Sequence, residues 1–217
     1  MAVKITMSYE RPGGHTAFLL PLPEEFNIMA ERAAFPVPSL REEWRLGNYL
    51  SGSTEPWVVE ILASLLKASN ANTVLECGGY LGCTSAWLAL TLQQMGGGTL
   101  HIAELEAERA AACDKRLSEL PIKDVEWRVW HDDVFNVIAA QPDESIDWAW
   151  VDDNHEKAHV DRELAALIPK MARNGLVLGH DVWGSTDLQE IFVKHGGYAL
   201  DLPRLGLAGG IGVIQCR

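Results

Sequence analysis

Two short runs in this chain hold acids and histidines close together. Asp152-Asp153-Asn154-His155 follows the apolar stretch Ile146–Val151, and His180-Asp181 follows Leu176–Gly179. Asp152, His180 and Asp181 offer a divalent cation two carboxylate oxygens and one imidazole nitrogen. Magnesium prefers an all-oxygen shell, while an imidazole ligand fits manganese, iron or zinc better. The same groups can equally satisfy one another by hydrogen bonds. His155 suits a general base, because an imidazole titrates near about 6.5 and much of it is neutral at pH 7. It also fits a solvent-exposed turn ahead of a helix. His159, four residues further on, is a lesser candidate on the same helical face.

A second constellation lies upstream. The apolar run Thr73–Cys77 ends in Gly78-Gly79-Tyr80-Leu81-Gly82. Glycines at a strand end let the backbone approach a ligand closely and take positive φ, although a tight turn needs them too. Glu76 sits inside the apolar run, where a lone carboxylate is costly without partners. Glu104 ends the next apolar run, and an acid at that place suits ribose hydroxyls. A dinucleotide-binding G-x-G-x-x-G is not met, because Cys77 would take its first position. A P-loop fails for want of a following Gly-Lys-Ser/Thr.

These clusters need elements to carry them. Helical spacing starts at Thr54 with Trp57, Val58, Ile61, Leu62, Leu65 and Leu66. Strands are expected at Thr73–Cys77, Thr99–Ala103, Val125–Trp130, Ile146–Val151 and Leu176–Gly179. Helices are expected at Thr84–Met95, Glu106–Leu120, Val134–Ala140, Glu156–Ala172 and Leu188–His195. Strands separated by helices imply βαβ units and a mainly parallel α/β sheet, with both polar clusters at its carboxyl edge. Tyr198–Leu202 and Gly210–Gln215 read as a closing antiparallel hairpin around the loop Pro203–Gly209. Most tryptophans fall on these elements and read as core.

Residues 1–50 differ in texture. Pro12, Gly13, Gly14, Pro21, Pro23, Pro36 and Pro38 break any long element, apart from a short helix at Glu24–Ala34. This segment reads as an N-terminal cap or lid on a domain spanning 51–217. The 217 residues carry a formal net charge of −12. That disfavours a broad nucleic-acid face and favours small neutral or cationic ligands. Cys77, Cys83, Cys113 and Cys216 show no zinc spacing and read as reduced thiols. No apolar run reaches the roughly 20 residues of a membrane span, and no signal peptide is visible, so a cytoplasmic protein is expected. A homodimer is compatible with the sequence.

Glu76-Cys77-Gly78-Gly79-Tyr80-Leu81-Gly82-Cys83-Thr84-Ser85 resembles the E-x-G-x-x-x-G-x-[ST] loop of class I S-adenosylmethionine (SAM)-dependent methyltransferases. It is most similar to their small-molecule branch, which includes catechol-type and macrolide sugar O-methyltransferases. The resemblance runs over about residues 54–217. It implies a Rossmann-like, seven-stranded, mainly parallel sheet with helices on both faces. It also implies that Glu76, Gly78, Gly79, Tyr80, Gly82, Thr84 and Ser85 wrap the methionine part of SAM. Glu104 would hold the ribose and Asp132 the adenine amino group, although Asp132 also suits a helix N-cap ahead of Val134.

Val151-Asp152-Asp153-Asn154-His155 and Gly179-His180-Asp181-Val182 are similar to two further family segments. In metal-dependent members the positions of Asp152, His180 and Asp181 hold Mg2+ or a like cation such as Mn2+, with an acid in place of His180. The position of His155 carries the base, and Asp152 stands beside the cofactor and the reacting atoms. The resemblance thus implies methyl transfer to a hydroxyl of a small molecule. Two other readings use the same residues: a metal-dependent enzyme of another class built on Asp152, His180 and Asp181, and a SAM-binding protein without activity. A nucleic-acid amino-methylase is disfavoured, because Asp152-Asp153-Asn154-His155 replaces its Asn/Asp-Pro-Pro-aromatic motif.

Overall fold

The computed structural model describes residues 8–10, 16–18, 53–183, 187–200 and 210–217, with the side chains of residues 8–10, 16–18, 56 and 57 excepted. By its contacts the chain divides into two units, 1–38 and 39–217. In the first, strands β1 (Ser8–Glu10) and β2 (Thr16–Phe18) pair antiparallel. The rest of the expected cap over 1–50, with its helix at Glu24–Ala34, lies outside the described residues, as does the loop Pro203–Gly209.

The second unit opens with helix α1 (Pro56–Ser69), which starts on a proline and ends at Asn70 in the left-handed conformation. Its buried Val58, Val59, Leu62 and Leu66 recur at three- and four-residue steps, as an amphipathic helix requires. Alternation follows: β3 (Thr73–Cys77), α2 (Cys83–Met95), β4 (Gly98–Glu104), α3 (Ala107–Ser118), β5 (Val125–His131), α4 (Val134–Ala140), β6 (Ile146–Val151), α5 (Lys157–Leu167), β7 (Met171–Gly179), α6 (Gln189–Lys194), β8 (Tyr198–Leu200) and β9 (Ile211–Gln215).

The seven strands β3 to β9 line up in the order β5-β4-β3-β6-β7-β9-β8. The first five run parallel, and β9 pairs antiparallel with both β7 and β8. This is the expected Rossmann-like sheet with a C-terminal antiparallel hairpin. Helix α2 contacts α1 and α3, and α5 contacts α4 and α6. From Cys83 to Leu92 every residue of α2 is buried, because that helix is flanked by its neighbours as well as by the sheet. Leu75, Ala149, Val151, Val177 and Ile214 of the sheet share one core with Val137, Val160, Leu164 and Phe192 of α4, α5 and α6.

Two boundaries differ from the sequence expectation by more than two residues. The helix expected over Glu156–Ala172 stops at Leu167, and a short 3-10 turn, Ile168–Lys170, leads straight into the sheet. Pro169 lacks the N–H a further helical turn needs. Strand β7 therefore begins at Met171 rather than Leu176, with a register irregularity opposite Ile146 and Trp148. Trp148 and Trp150 are fully buried, whereas Trp127 and Trp130 on the edge strand β5 are half-buried. All four cysteines are buried thiols outside any disulfide. Among the described residues no helix is long and apolar enough to cross a membrane.

Candidate active site

Strand order reverses between β3 and β6, so the loops that leave their carboxyl ends diverge and open a crevice. A cleft of about 560 Å³ occupies that place. Its lining includes Gly78, Tyr80, Glu104 and Asp132 from one half of the sheet edge, and Asp152, His155, His180 and Asp181 from the other. The two polar clusters separated in sequence thus face one space. Glu76, Gly79, Gly82, Thr84 and Ser85 lie outside the lining and act behind it.

The glycine turn is locked from several sides. The Gly78 and Gly79 N–H groups both donate to the Ala103 carbonyl at 3.0 Å. Gly78 has φ +95°, and a Cβ there would meet the Asp152 carbonyl oxygen at 2.7 Å and the Asp153 Cα at 2.8 Å. Close approach of the β3 and β6 loops therefore demands glycine. Gly82, at φ +79°, caps α2 where a Cβ would come within 2.9 Å of the Cys113 Cα.

Behind the turn, Glu76 is fully buried. Ser85 Oγ donates to its Oε2 at 2.5 Å, and its Oε1 has no hydrogen-bond partner. Burial pushes its pKa up to about 8, against the lowering effect of Ser85 and with help from the Asp152 and Glu104 charges. Glu104 is also buried. Its Oε2 accepts the Tyr80 N–H at 2.7 Å and its Oε1 the Glu106 N–H at 2.9 Å. A carboxylate oxygen has two lone pairs, so each oxygen can accept one further donor.

Asp132 is exposed. Its Oδ1 accepts from Asn136 Nδ2 and the Asp133 N–H, both at 2.8 Å, and these two bonds hold its carboxyl below the usual range. The N-cap of α4 falls on its neighbour Asp133, which accepts the Phe135 N–H at 2.8 Å. Asp132 Oδ2 is left for a ligand.

The acid–histidine half is tied to a segment that the motifs did not flag. Thr84 Oγ1 donates to Thr54 Oγ1 at 3.0 Å, and Thr54 Oγ1 donates to Asp152 Oδ2 at 2.7 Å. His180 is 7% exposed and lies between two carboxylates, with Nδ1 3.0 Å from Asp152 Oδ1 and Nε2 2.8 Å from Glu55 Oε2. Burial alone would lower its pKa. The Asp152 charge and hydrogen bond, with Glu55 and Asp181, overturn that and raise it to about 10. Carboxylates only accept, so both ring nitrogens carry hydrogens, and His180 is an imidazolium.

This bears on a metal. The donor atoms that converge within 4.8 Å belong to Asp152, His155 and His180, and Asp181 is not among them. Asp181 Oδ2 stands 3.8 Å from His180 Nδ1 and 3.9 Å from His155 Nε2. A metal ligand needs a lone pair on the imidazole, and His180 has neither nitrogen to spare in this arrangement. A cation held by Asp152, His155 and His180 would have to displace the proton from one His180 ring nitrogen. His155 differs, because its Nε2 makes no hydrogen bond and lies 3.6 Å from Asp152 Oδ1.

Glu55 and Thr54 escaped the sequence reading. They precede α1 and meet Asp152 and His180 across 98 and 125 residues. A polar pair ahead of a proline-started helix looks like ordinary helix-entry chemistry.

A parallel sheet with a C-terminal hairpin and a polar cleft at its switch point is the architecture of the class I methyltransferases. Residues 75–182 match the family model described as a methyltransferase domain, which supports a class I SAM-dependent methyltransferase. Solved structures share the fold at low identity. An O-methyltransferase from Bacillus cereus in complex with SAH matches at TM-score 0.67 and 17% identity, covering 88% of this chain and 97% of that one. TomG from Streptomyces achromogenes, an O-methyltransferase involved in tomaymycin synthesis and solved with SAM, matches at 0.67 and 16%, covering 88% and 96%. The SAH-bound methyltransferase PaMTH1 from Podospora anserina matches at 0.64 and 13%, covering 92% and 98%. Among curated proteins no sequence relative is found.

Proposed function

We propose that this protein transfers the methyl group of SAM to a hydroxyl of a small molecule, with His155 as general base. The observation that carries this reading is the single cleft joining the glycine turn, Glu104 and Asp132 to the Asp152–His155–His180 cluster. Solved relatives bound to SAM or SAH support the choice of cofactor.

The cleft residues suit SAM on their own chemistry. Glu104 has lone pairs left for ribose hydroxyls, and Asp132 Oδ2 can accept an adenine amino hydrogen. Gly78 keeps the turn low enough for a ligand to lie against the backbone. An acid-lined cleft also favours a ligand that carries a sulfonium and an ammonium charge.

When bound, SAM supplies the activated methyl group, whose bond to sulfur breaks as the new bond to oxygen forms. The protein then has to position and deprotonate the acceptor. His155 Nε2 takes the hydroxyl proton. Asp152, held by Thr54 and His180, fixes the geometry beside it. The His180 imidazolium offsets the Asp152 and Glu55 charges beside the acceptor, and no step is routed through a divalent cation. Trp183, half-buried on the loop after β7, is not among the residues that line the cleft.

Calorimetry with S-adenosylhomocysteine tests the cofactor half. Micromolar binding that weakens at least tenfold in Glu104→Ala is expected, and no heat in the wild type would remove the assignment. An acceptor screen then tests His155→Ala, which should lose turnover by roughly 10²-fold or more while binding the cofactor product normally. Unchanged turnover in that variant would take His155 out of the mechanism.

A further inference from the structure

A second cluster of metal-type donors reaches the cleft, where Asp153 and His159 form part of the lining, and the proposed methyl transfer makes no use of it. Asp153 comes from the turn after β6, and His159 and Glu163 stand one helical turn apart on α5. Their donor atoms lie within 4.8 Å of one another. His159 Nε2 is 2.9 Å from Asp153 Oδ2 and 3.8 Å from Glu163 Oε2. Ligand atoms on a tetrahedral zinc at about 2.1 Å would stand roughly 3.4 Å apart, so these separations need adjustments of about half an ångström.

An independent observation points into the cluster. Glu163 is completely buried, and neither of its carboxylate oxygens meets hydrogen-bond geometry, although Cys77 and Asp153 lie close enough to interact with it. Burial first, and then the Asp153 charge, push its carboxyl well above the usual carboxylate range. A buried acid in that position must either hold a proton or meet a cation. The neighbouring Arg162 does not serve as that cation, since its guanidinium lies over the Phe135 ring, 4.5 Å from the centroid.

We propose that Asp153, His159 and Glu163 form a structural site for one first-row divalent cation of the zinc class. Two carboxylates and a neutral imidazole balance a charge of +2. The mixed nitrogen and oxygen donors fit zinc better than magnesium. Cys77 places a sulfur nearby, and the Glu163 and Asp153 charges, after burial, raise its thiol well above the ordinary value. The Asp153 main chain presses against Gly78. An ion holding Asp153 to α5 would therefore pin the turn that carries Asp152 and His155 against the glycine loop.

The test needs no methyl acceptor. Tag-free full-length protein is stripped with chelator, dialysed against zinc and gel-filtered, and its metal is measured by mass spectrometry. Its melting temperature is followed with and without zinc. One zinc per chain is expected, with a higher melting temperature. Glu163→Gln and His159→Gln should each lose the zinc and the thermal shift. Asp152→Asn and His155→Ala, which alter the neighbouring cluster, should retain both. His159 is partly exposed, so its variant reports even if Glu163→Gln fails to fold. Zinc-free wild type after dialysis overturns the proposal and leaves Glu163 as a protonated core acid. Zinc kept by His159→Gln but lost by His155→Ala overturns it too, because the ion then sits at the other cluster.

Discussion

Replacing Glu76 by glutamine should change how stability depends on pH, by an amount the burial of Glu76 sets. The carboxyl has an ordinary value of 4.5 and is raised to about 8 in the folded chain. The native state therefore holds this proton through a range where the unfolded chain has released it. Stability from this group is fully present below pH 4.5 and is lost as pH rises toward 8. Integrating the proton difference between pH 5 and 8 gives roughly 3 kcal/mol of destabilisation.

Glutamine is nearly isosteric, stays neutral throughout and can still accept from Ser85 Oγ. Glu76→Gln should match the wild type near pH 5 and exceed it by about 3 kcal/mol at pH 8. The measurement is urea unfolding of the cofactor-free protein at pH 5, 6.5 and 8, followed by tryptophan fluorescence. His180, raised to about 10, also loses stabilising power as pH rises from 6.5, but it does so in both proteins and cancels in the difference. Parallel pH profiles for the two proteins would refute the reasoning and mean that Glu76 is ionised when folded, with its charge met by a partner.

The clamp on His180 predicts that its ring stays protonated at pH 8. Nitrogen NMR should find both ring nitrogens protonated in the wild type, and Glu55→Gln should lower the titration point. A neutral ring at pH 8 would reopen Asp152, His155 and His180 as a metal set. Gly78→Ala should cost about 1–3 kcal/mol of stability and abolish binding of S-adenosylhomocysteine, because the new methyl enters the Asp152–Asp153 backbone at positive φ. Wild-type affinity in that variant would show that the turn has room the structure denies it.

Local chemistry made the architecture legible. Alternating apolar runs and helical spacings set the order of strands and helices, since each element buries its own apolar face against a neighbour. The carboxyl-edge placement of Gly78, Glu104, Asp132, Asp152 and His180 followed from that order, because parallel strands joined by helices all end on one edge. The long α5 was overestimated because apolar spacing continues past Leu167 while Pro169 ends the hydrogen bonding.

Tertiary structure alone decided which groups meet. Sequence spacing put His180 among metal ligands, but the folded chain brings Glu55 to its second nitrogen from 125 residues away and leaves it a bound proton. Glu163 read as one more acid on an amphipathic helix. Packing of α5 against β3 and β6 buried it beside Asp153 and His159 instead. Charge state depends on burial and on neighbours within a few ångströms, and those neighbours come from distant parts of the chain. The sequence by itself determined the edge where the chemistry sits, and the fold determined the protonation and partners of the groups placed there.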